Sequence, residues 1–247
     1  MANIFIDPLK EFTSYQKLLE KVEKKKSIST YGIIESNIGH FCYALNQHLN
    51  RQILILTYDE RRAEKIYEDI KNFQRDKIEL YPDRDIIFYK IDAISSERTN
   101  DRLKILSRLV KDEPIIVVAH IESILNKLMN PTLFKENSTK IDLETTIELD
   151  QLISKLIAGG YQRETMVEGV GQFSARGGII DFYPPNSDNP YRIEMFDDEI
   201  DSIRSFDIIT QRSLEMVESV YIPPVREVLL LDDLDRKSTR LNSSHTS

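Results

Sequence analysis

Residues 161–207 read YQRETMVEGVGQFSARGGIIDFYPPNSDNPYRIEMFDDEIDSIRSFD, and this stretch decides the fold of the chain around it. Two short runs of alternating apolar and polar residues are separated by Gly177 and Gly178. Along a β-strand, successive side chains point to opposite faces of the sheet. The polar face is therefore expected to carry Gln172, Ser174 and Arg176 from the first run and Arg192, Glu194 and Phe196 from the second.

Glycines and turn residues separate these runs. Gly177 and Gly178 provide the permissive backbone that a bend or bulge requires, and residues 186–190 have the composition of a turn. The pattern predicts a small antiparallel sheet with one apolar face and one face that carries arginines. Just before it, alternation over residues 141–147 predicts a half-exposed strand, and residues 149–158 predict a helix that ends at two glycines.

The first half of the chain follows a different pattern, in which helices alternate with short apolar strands. Such alternation predicts right-handed crossovers and a parallel sheet. The nearly continuous apolar runs fit strands that are covered on both faces. Strands are expected at 27–34, 52–58, 77–81 and 114–119, and helices at 8–26, 38–49, 63–73 and 102–111.

Charge and cysteine content limit the possible functions. The 247 residues carry a formal net charge of −8, which argues against a broad duplex-DNA surface because such a surface needs clustered Lys and Arg. A local basic patch stays open. The single cysteine, Cys42, excludes an internal disulfide and a cysteine metal site. We expect a cytoplasmic protein, since no run reaches the roughly 18 apolar residues of a membrane span and the N-terminus is not a signal peptide.

Ordered motifs across the chain resemble the N-terminal module of the bacterial transcription-repair coupling factors. That module is itself similar to the damage-recognition protein UvrB. Each motif is short, but their order is specific, and the similarity extends more loosely from about residue 10 to about Leu230. The shared motifs are Gly160-Tyr161-x-Arg163, Gly171-x-Phe173-x-x-Arg176-Gly177, Asp181-x-x-Pro184 and Phe196-x-Asp198-Glu199-Ile200; Ser202-Ile203-Arg204-x-Phe206-Asp207 and Thr210-Gln211-Arg212-Ser213 favour the coupling factors over UvrB.

The resemblance implies an α/β fold with two parts. One is a parallel-sheet, degenerate P-loop domain of the RecA or helicase kind; the other is an inserted small α+β domain that carries the antiparallel sheet. In this division residues 1–129 are the first part of the α/β domain, 130–203 the inserted UvrA-binding domain, and 204–236 the return to the α/β domain. Residues 237–247, KSTRLNSSHTS, break the preceding pattern and are expected to be a disordered, non-native tail.

The function that the resemblance implies is recognition without chemistry. The module would bind the nucleotide-excision-repair protein UvrA and recruit it to a stalled RNA polymerase. Contacts with polymerase and DNA would belong to family domains that are absent here, and the full-length family member is an ATP-dependent DNA translocase. In the family another part of the same protein can cover the UvrA-binding surface, so masking by the missing C-terminal part is a further expectation.

The arginine face is the candidate partner-binding site. The resemblance assigns to it Arg163, Arg176, Arg192, Glu194 and Phe196. A solvated Arg–Glu pair contributes only about 0–1 kcal/mol to stability. An interface arginine contributes roughly 2 kcal/mol or more, because its planar fork pairs bidentately with carboxylates. Ser174 stands where UvrB has another arginine, which implies a weaker or smaller UvrA contact.

A second candidate is the loop before the helix at 38–49, which lies where UvrB carries its ATP loop. A working G-x-x-x-x-G-K-[ST] loop needs glycines whose amides reach phosphate, a lysine, and a hydroxyl for Mg²⁺. Alignment on Gly39 puts Ile34 at the first glycine, His40 at the lysine and Phe41 at the hydroxyl, and Glu35 would repel phosphate. We therefore expect a degenerate loop used for packing, with no ATP bound to this chain.

Neither a catalytic residue nor a metal site is expected. His40, His48, His120 and His245 are scattered without metal spacing. His120 follows a buried strand, which is typical of a packed or capping histidine, and Cys42 is most simply a small core residue. The acidic residues at 197–199 and 232–233 are explained by solvated turns.

Three further interpretations stay open. Tyr81, Phe88 and Tyr89 lie where UvrB inserts an aromatic hairpin, and such residues can stack on bases, although loop packing explains them more simply. A UvrB-like ATP-dependent damage-recognition helicase fragment is the alternative to a binding module, and measurable ATP binding would favour it. An unrelated α/β enzyme would need a pocket of convergent polar groups at the strand carboxyl ends, and the sequence shows no set of residues to fill one.

Overall fold

The structure is a computed structural model that describes residues 3–84 and 92–228, with the backbone alone for 92–96. It is a mixed α/β protein with parallel and antiparallel sheets. The chain divides into two compact units. Residues 3–84 and 111–125 form the first, and residues 92–110 and 126–228 form the second.

The first unit is built on a three-stranded sheet with the order β1-β3-β2, in which both strand pairs are parallel. The predicted parallel sheet is thus confirmed. Apolar residues of α3 pack on this sheet, where Ile66 and Ile70 join Ile116 and Val118 in one core cluster. The elements are a 3-10 helix Asp7–Glu11, α1 Thr13–Glu23, α2 Ile38–Leu49, β1 Ile53–Thr57, α3 Glu60–Lys71, β2 Ile78–Leu80 and β3 Ile116–His120.

Two predictions for the first unit are wrong. Residues 27–34 do not form a strand, so the sheet has three strands where four are expected. Gly32 has a φ of +83°, which breaks the extended backbone inside the short apolar run, and Tyr31 beside it is exposed. The helix expected over 8–26 is two elements, because Phe12 has extended backbone between the 3-10 helix and α1.

The second unit contains a six-stranded sheet with the order β10-β9-β8-β7-β6-β5 and a two-stranded sheet of β11 and β4. Neighbouring strands in the large sheet are antiparallel except β5 and β6, which are parallel. Its elements are α4 Asp92–Val110, α5 Pro131–Glu136, β4 Thr139–Asp142, α6 Leu149–Ala158, β5 Gln162–Arg163, β6 Gln172–Arg176, β7 Ile179–Phe182, β8 Tyr191–Phe196, β9 Glu199–Phe206, β10 Ser213–Met216 and β11 Ser219–Ile222.

The core of the second unit lies on one face of the large sheet. Phe173, Ile180, Ile193 and Ile203 come from four successive strands and are fully buried. They share a core cluster with Leu152 and Leu156 of α6. Burying such apolar side chains stabilises the unit by roughly 1.5–3 kcal/mol each. The predicted apolar face of the sheet is therefore confirmed.

The strand β9 runs through the domain boundary expected between residues 203 and 204. Residues 204–206 therefore continue a strand of the large sheet, and β11 pairs with β4 within the same unit. Assignment of 204–236 to a returning α/β segment stays a prediction. None of the helices in the described part of the chain could span a lipid bilayer.

Candidate partner-binding site

Strand register brings the predicted polar residues into two rows across the sheet. One row joins Ser174, Asp181, Arg192 and Arg204 on four neighbouring strands. The other row joins Arg176, Ile179, Glu194 and Ser202. Residues directly opposite each other share a face, so Arg176, Arg192 and Glu194 lie together as predicted.

Arg192 is paired within the sheet. Its Nε and Nη2 donate hydrogen bonds of 2.7 and 2.8 Å to the two carboxylate oxygens of Asp181. Asp181 is only 3% exposed, and the Arg192 guanidinium carbon lies 5.0 Å from the ring centroid of Phe206. The bond to Asp181 raises the pKa of Arg192 above its ordinary value. The planar fork of Arg192 is thus occupied by an internal carboxylate.

Glu194 belongs to a second network, with Arg204 and Ser202. Nη2 of Arg204 donates to Oε2 of Glu194, and the Ser202 hydroxyl donates to the same oxygen at 3.2 Å. Arg204 Nη2 also donates to the Ser202 hydroxyl at 3.1 Å. Arg192 and Arg204 are direct cross-strand neighbours, and like charges in that position repel. Each guanidinium is neutralised by its own carboxylate, which permits the two arginines to lie side by side.

Three side chains of this face are more open to solvent, and we call them the docking patch: Arg176, Ile179 and Phe196. The Arg176 side chain is 64% exposed, and its Nη2 lies 4.0 Å from Asp181 Oδ2. Phe196 is 80% exposed and Ile179 is 40% exposed. Two of them, Ile179 and Phe196, line an open hollow of about 520 Å³ together with Gly178, Glu194, Met195 and Asp201.

Arg163 is the one predicted binding residue that the register separates from the others. It is exposed on β5, and its partner on β6 is Phe173, which points into the core. Because paired residues share a face, Arg163 lies at the sheet edge on the face opposite to Arg176. The five residues assigned from the resemblance therefore do not form one continuous surface.

The residues that were predicted to form a degenerate phosphate loop contact other protein groups in the first unit. Glu35 lies 3.4 Å from Lys65 and 3.7 Å from Arg62. A Cβ atom at Gly39 would lie 3.0 Å from the Asp69 side chain of α3, so glycine allows the two helices to approach closely. His40 Nε2 lies 2.6 Å from the Phe5 carbonyl oxygen. The rings of Phe41 and Tyr15 make an edge-to-face contact, with 6.1 Å between their centroids.

Sequence reasoning missed the partners of the predicted residues. Asp181, Ser202 and Arg204 complete the two networks, and the alternation in β9 could have placed Ser202 and Arg204 on the polar face. It also missed a cluster of Asp83, His120 and Glu122 in the first unit. Tyr81 is buried. The other two aromatic residues proposed for base stacking, Phe88 and Tyr89, lie outside the described residues, as do residues 232–233 and the tail with His245.

The comparison with known families gives the class of domain. Residues 139–227 match the family model described as the UvrB interaction domain. This range contains the whole six-stranded sheet and the docking patch. The second unit therefore contains the region that matches this family model.

Curated relatives then give the kind of protein. The transcription-repair-coupling factor of Bacillus subtilis (strain 168) is 37% identical over 233 residues, which are 93% of this chain and 20% of that protein. The corresponding proteins of Staphylococcus aureus (strain bovine RF122 / ET3-1) and Staphylococcus haemolyticus (strain JCSC1435) are 31% and 32% identical over 76% and 74% of this chain, and over 16% of their own lengths. The resemblance deduced from the motifs is confirmed. The chain is related to transcription-repair-coupling factors over most of its length, and it spans about a fifth of the first of these relatives.

Proposed function

We propose that this chain is the UvrA-binding N-terminal module of a transcription-repair coupling protein. The observation that carries this proposal is the docking patch within the matched UvrB interaction domain. Phe196 is a large aromatic residue that the fold does not use for its core, and aromatic and arginine side chains dominate binding energy at interfaces. A partner that covers Phe196 and pairs a carboxylate with Arg176 gains both contributions.

The internal networks give this face a fixed geometry before any partner binds. Asp181 holds Arg192, and Arg204 holds Glu194. The charged side chains beside Arg176 and Phe196 are therefore restricted to few rotamers. A rigid surface loses less conformational entropy on binding. In this proposal Arg192 and Glu194 act as supports that also line the contact, while Arg176 and Phe196 supply the free groups. Arg163, on the opposite face, contributes only if UvrA also wraps around the sheet edge.

In a longer protein, the role of this module is to bind UvrA and nothing more. It brings UvrA to a stalled RNA polymerase, and contacts with the polymerase and with DNA, together with ATP-driven translocation, belong to other domains. A part of the same protein outside this chain can mask the docking patch until it is needed. The chain itself makes no covalent change in a substrate, and we propose that ATP does not bind it.

Binding of purified UvrA to the chain, with and without ATP, tests the proposal. We expect measurable binding by calorimetry or surface capture and at least a tenfold loss in Arg176→Ala. Arg61→Ala is the matched control, because Arg61 is an exposed arginine on α3 of the other unit. If UvrA does not bind the wild-type chain, or binds Arg176→Ala as tightly as wild type, the proposed function or its surface is wrong.

A further inference from the structure

We propose that Asp83, His120 and Glu122 form a binding site for a divalent transition-metal ion of the Zn²⁺ class. One potential ligand atom from each of the three side chains lies within 4.8 Å of the other two. His120 Nε2 is 2.9 Å from Asp83 Oδ1. The cluster belongs to the first unit, whereas the elements that carry the docking patch belong to the second, so the inference goes beyond UvrA binding.

Backbone structure places all three residues at one edge of the parallel sheet. His120 is the last residue of β3, opposite Thr57 at the end of β1. Asp83 follows β2, and the chain leading to it is fixed by a hydrogen bond of 2.8 Å from the Tyr81 amide to the Val118 carbonyl. Glu122 begins a 3-10 turn, Glu122–Ile124, whose Ser123 hydroxyl donates to the His120 carbonyl at 2.8 Å. The carboxyl edge of such a sheet is where open α/β folds bind ligands.

Burial of the imidazole points to a ligand rather than to a surface charge pair. The His120 side chain is 5% exposed, and its Nε2 contacts Asp83, a member of the cluster. Asp83 is 30% exposed and Glu122 is exposed. The site therefore has a buried nitrogen at its base and two oxygens toward solvent, where water can complete the coordination.

The donor set selects the metal. Imidazole nitrogen suits Zn²⁺ and its neighbours, whereas Mg²⁺ prefers oxygen ligands in octahedral geometry. Zn²⁺ bonds of about 2.0–2.2 Å in a tetrahedron put ligand atoms roughly 3.3–3.6 Å apart. The His120–Asp83 separation of 2.9 Å must therefore widen slightly, and any separation above that range, up to the 4.8 Å limit, must shorten. Small side-chain rotations accomplish both, since Glu122 is free to move at the surface.

Titration of the full, tag-free chain with ZnCl₂ tests the site. We expect one Zn²⁺ per chain by calorimetry, with binding weakened at least about tenfold in Glu122→Gln and in Asp83→Asn. A Cys42→Ser background removes the thiol as a competing ligand, and Glu60→Gln, an exposed carboxylate at the start of α3, is the matched control. Glu122→Gln changes an exposed side chain, so it tests the site even where His120→Gln fails to fold.

Three results would overturn the proposal. They are no stoichiometric Zn²⁺ binding by the wild-type chain, equal affinity in Glu122→Gln and wild type, and Mg²⁺ binding as tight as that of Zn²⁺. Circular dichroism of each variant shows whether it is folded. UvrA binding is measured separately on the same variants, and we expect it to be unchanged, so failure of the metal site and failure of the proposed function are distinguishable.

Discussion

Arg192 holds the nearly buried carboxylate of Asp181 with two parallel hydrogen bonds of 2.7 and 2.8 Å, across two central strands of the antiparallel sheet. This contact shows that an arginine on this face can serve the stability of the sheet as well as the binding of a partner. A guanidinium that already pairs bidentately with an internal carboxylate mainly stabilises the fold, and it has fewer donors available for a partner protein. Loss of binding in an Arg192 variant would therefore not by itself locate an interface, because the same change disturbs the sheet.

Arg192→Ala is expected to destabilise the second unit. The change leaves Asp181 buried without its bidentate donor, and an unsatisfied buried polar group costs about 1–3 kcal/mol. Urea denaturation followed by circular dichroism measures the free energy of unfolding. Arg212→Ala, at an exposed position after β9, is the control and should stay within about 0.5 kcal/mol of wild type. Equal stability of Arg192→Ala and wild type would show that the pair does not support the sheet.

The sequence predicted the strands of this sheet because their alternation is local. Within residues 172–176 and 191–196, the alternation of apolar and polar side chains is enough to predict which face is buried and which is polar. Partners such as Asp181 for Arg192 depend on register between strands, which no single strand encodes. Arg163 shows the same limit, since its motif suggested a common surface with Arg176 while the pairing with Phe173 puts it on the other face.

The errors in the first unit have similar causes. Residues 27–34 contain enough apolar side chains to resemble a strand, but Gly32 adopts a positive φ and β1 pairs with β3 alone. The cluster of Asp83, His120 and Glu122 could not be read from spacing. Asp83 is distant in the sequence and reaches His120 only because β2 and β3 are neighbours in the sheet.

Phe196→Ala separates binding from stability. Because Phe196 is 80% exposed, its truncation should change the free energy of unfolding by no more than about 0.5 kcal/mol. Loss of an interface anchor should weaken UvrA binding by about 2 kcal/mol, or roughly 30-fold. Ile209→Ala is the matched control, since Ile209 is an apolar residue that is 88% exposed elsewhere in the same unit. Similar UvrA affinities for the two variants would remove Phe196 from the interface.

Glu227→Gln tests a buried ion pair in the second unit. Arg102 of α4 contacts Glu227 through Nε and, at 3.4 Å, through Nη2, and both side chains are fully buried. Neutralising the carboxylate removes the negative charge that faces the buried Arg102 guanidinium, and breaking a buried ion pair typically costs about 3–5 kcal/mol. A large fall in the unfolding midpoint is expected, compared with little change for exposed Glu218→Gln. A midpoint within error of wild type would mean that other groups satisfy Arg102.

Gly39→Ala tests whether this glycine serves helix packing. The added methyl would lie 3.0 Å from Asp69 Cβ and 3.3 Å from Ile70 Cγ1, both close to the backbone of α3. Overpacking costs about 1–3 kcal/mol and exceeds the gain of up to about 1 kcal/mol from alanine in a helix. We expect a lower unfolding midpoint and no shift when ATP and Mg²⁺ are added to wild type. Stabilisation by ATP would favour a nucleotide-binding role for the loop.

His48 makes the first unit sensitive to mild acid. Its Nδ1 lies 2.9 Å from the Tyr15 hydroxyl, and burial, followed by the charge of Lys10, lowers the pKa of His48 below 6.5 despite the opposing effect of Asp7. As the pH falls, the imidazole of His48 therefore becomes protonated at a higher pH in the unfolded chain than in the folded chain. The neutral imidazole contributes its full stability above about pH 6.5, and this contribution is lost as pH falls through the lower, folded-state pKa.

The pKa values of Tyr15 and Asp7, which lie beside His48, are displaced away from neutral pH. Burial raises the pKa of Tyr15 to about 12, and the amide of Asn3 lowers the pKa of Asp7. Unfolding midpoints measured from about pH 8 down to about pH 5 should fall more steeply for wild type than for His48→Gln. The difference between the two curves isolates His48 from the other histidines. Parallel curves would show that His48 has the same pKa in the folded and unfolded chain.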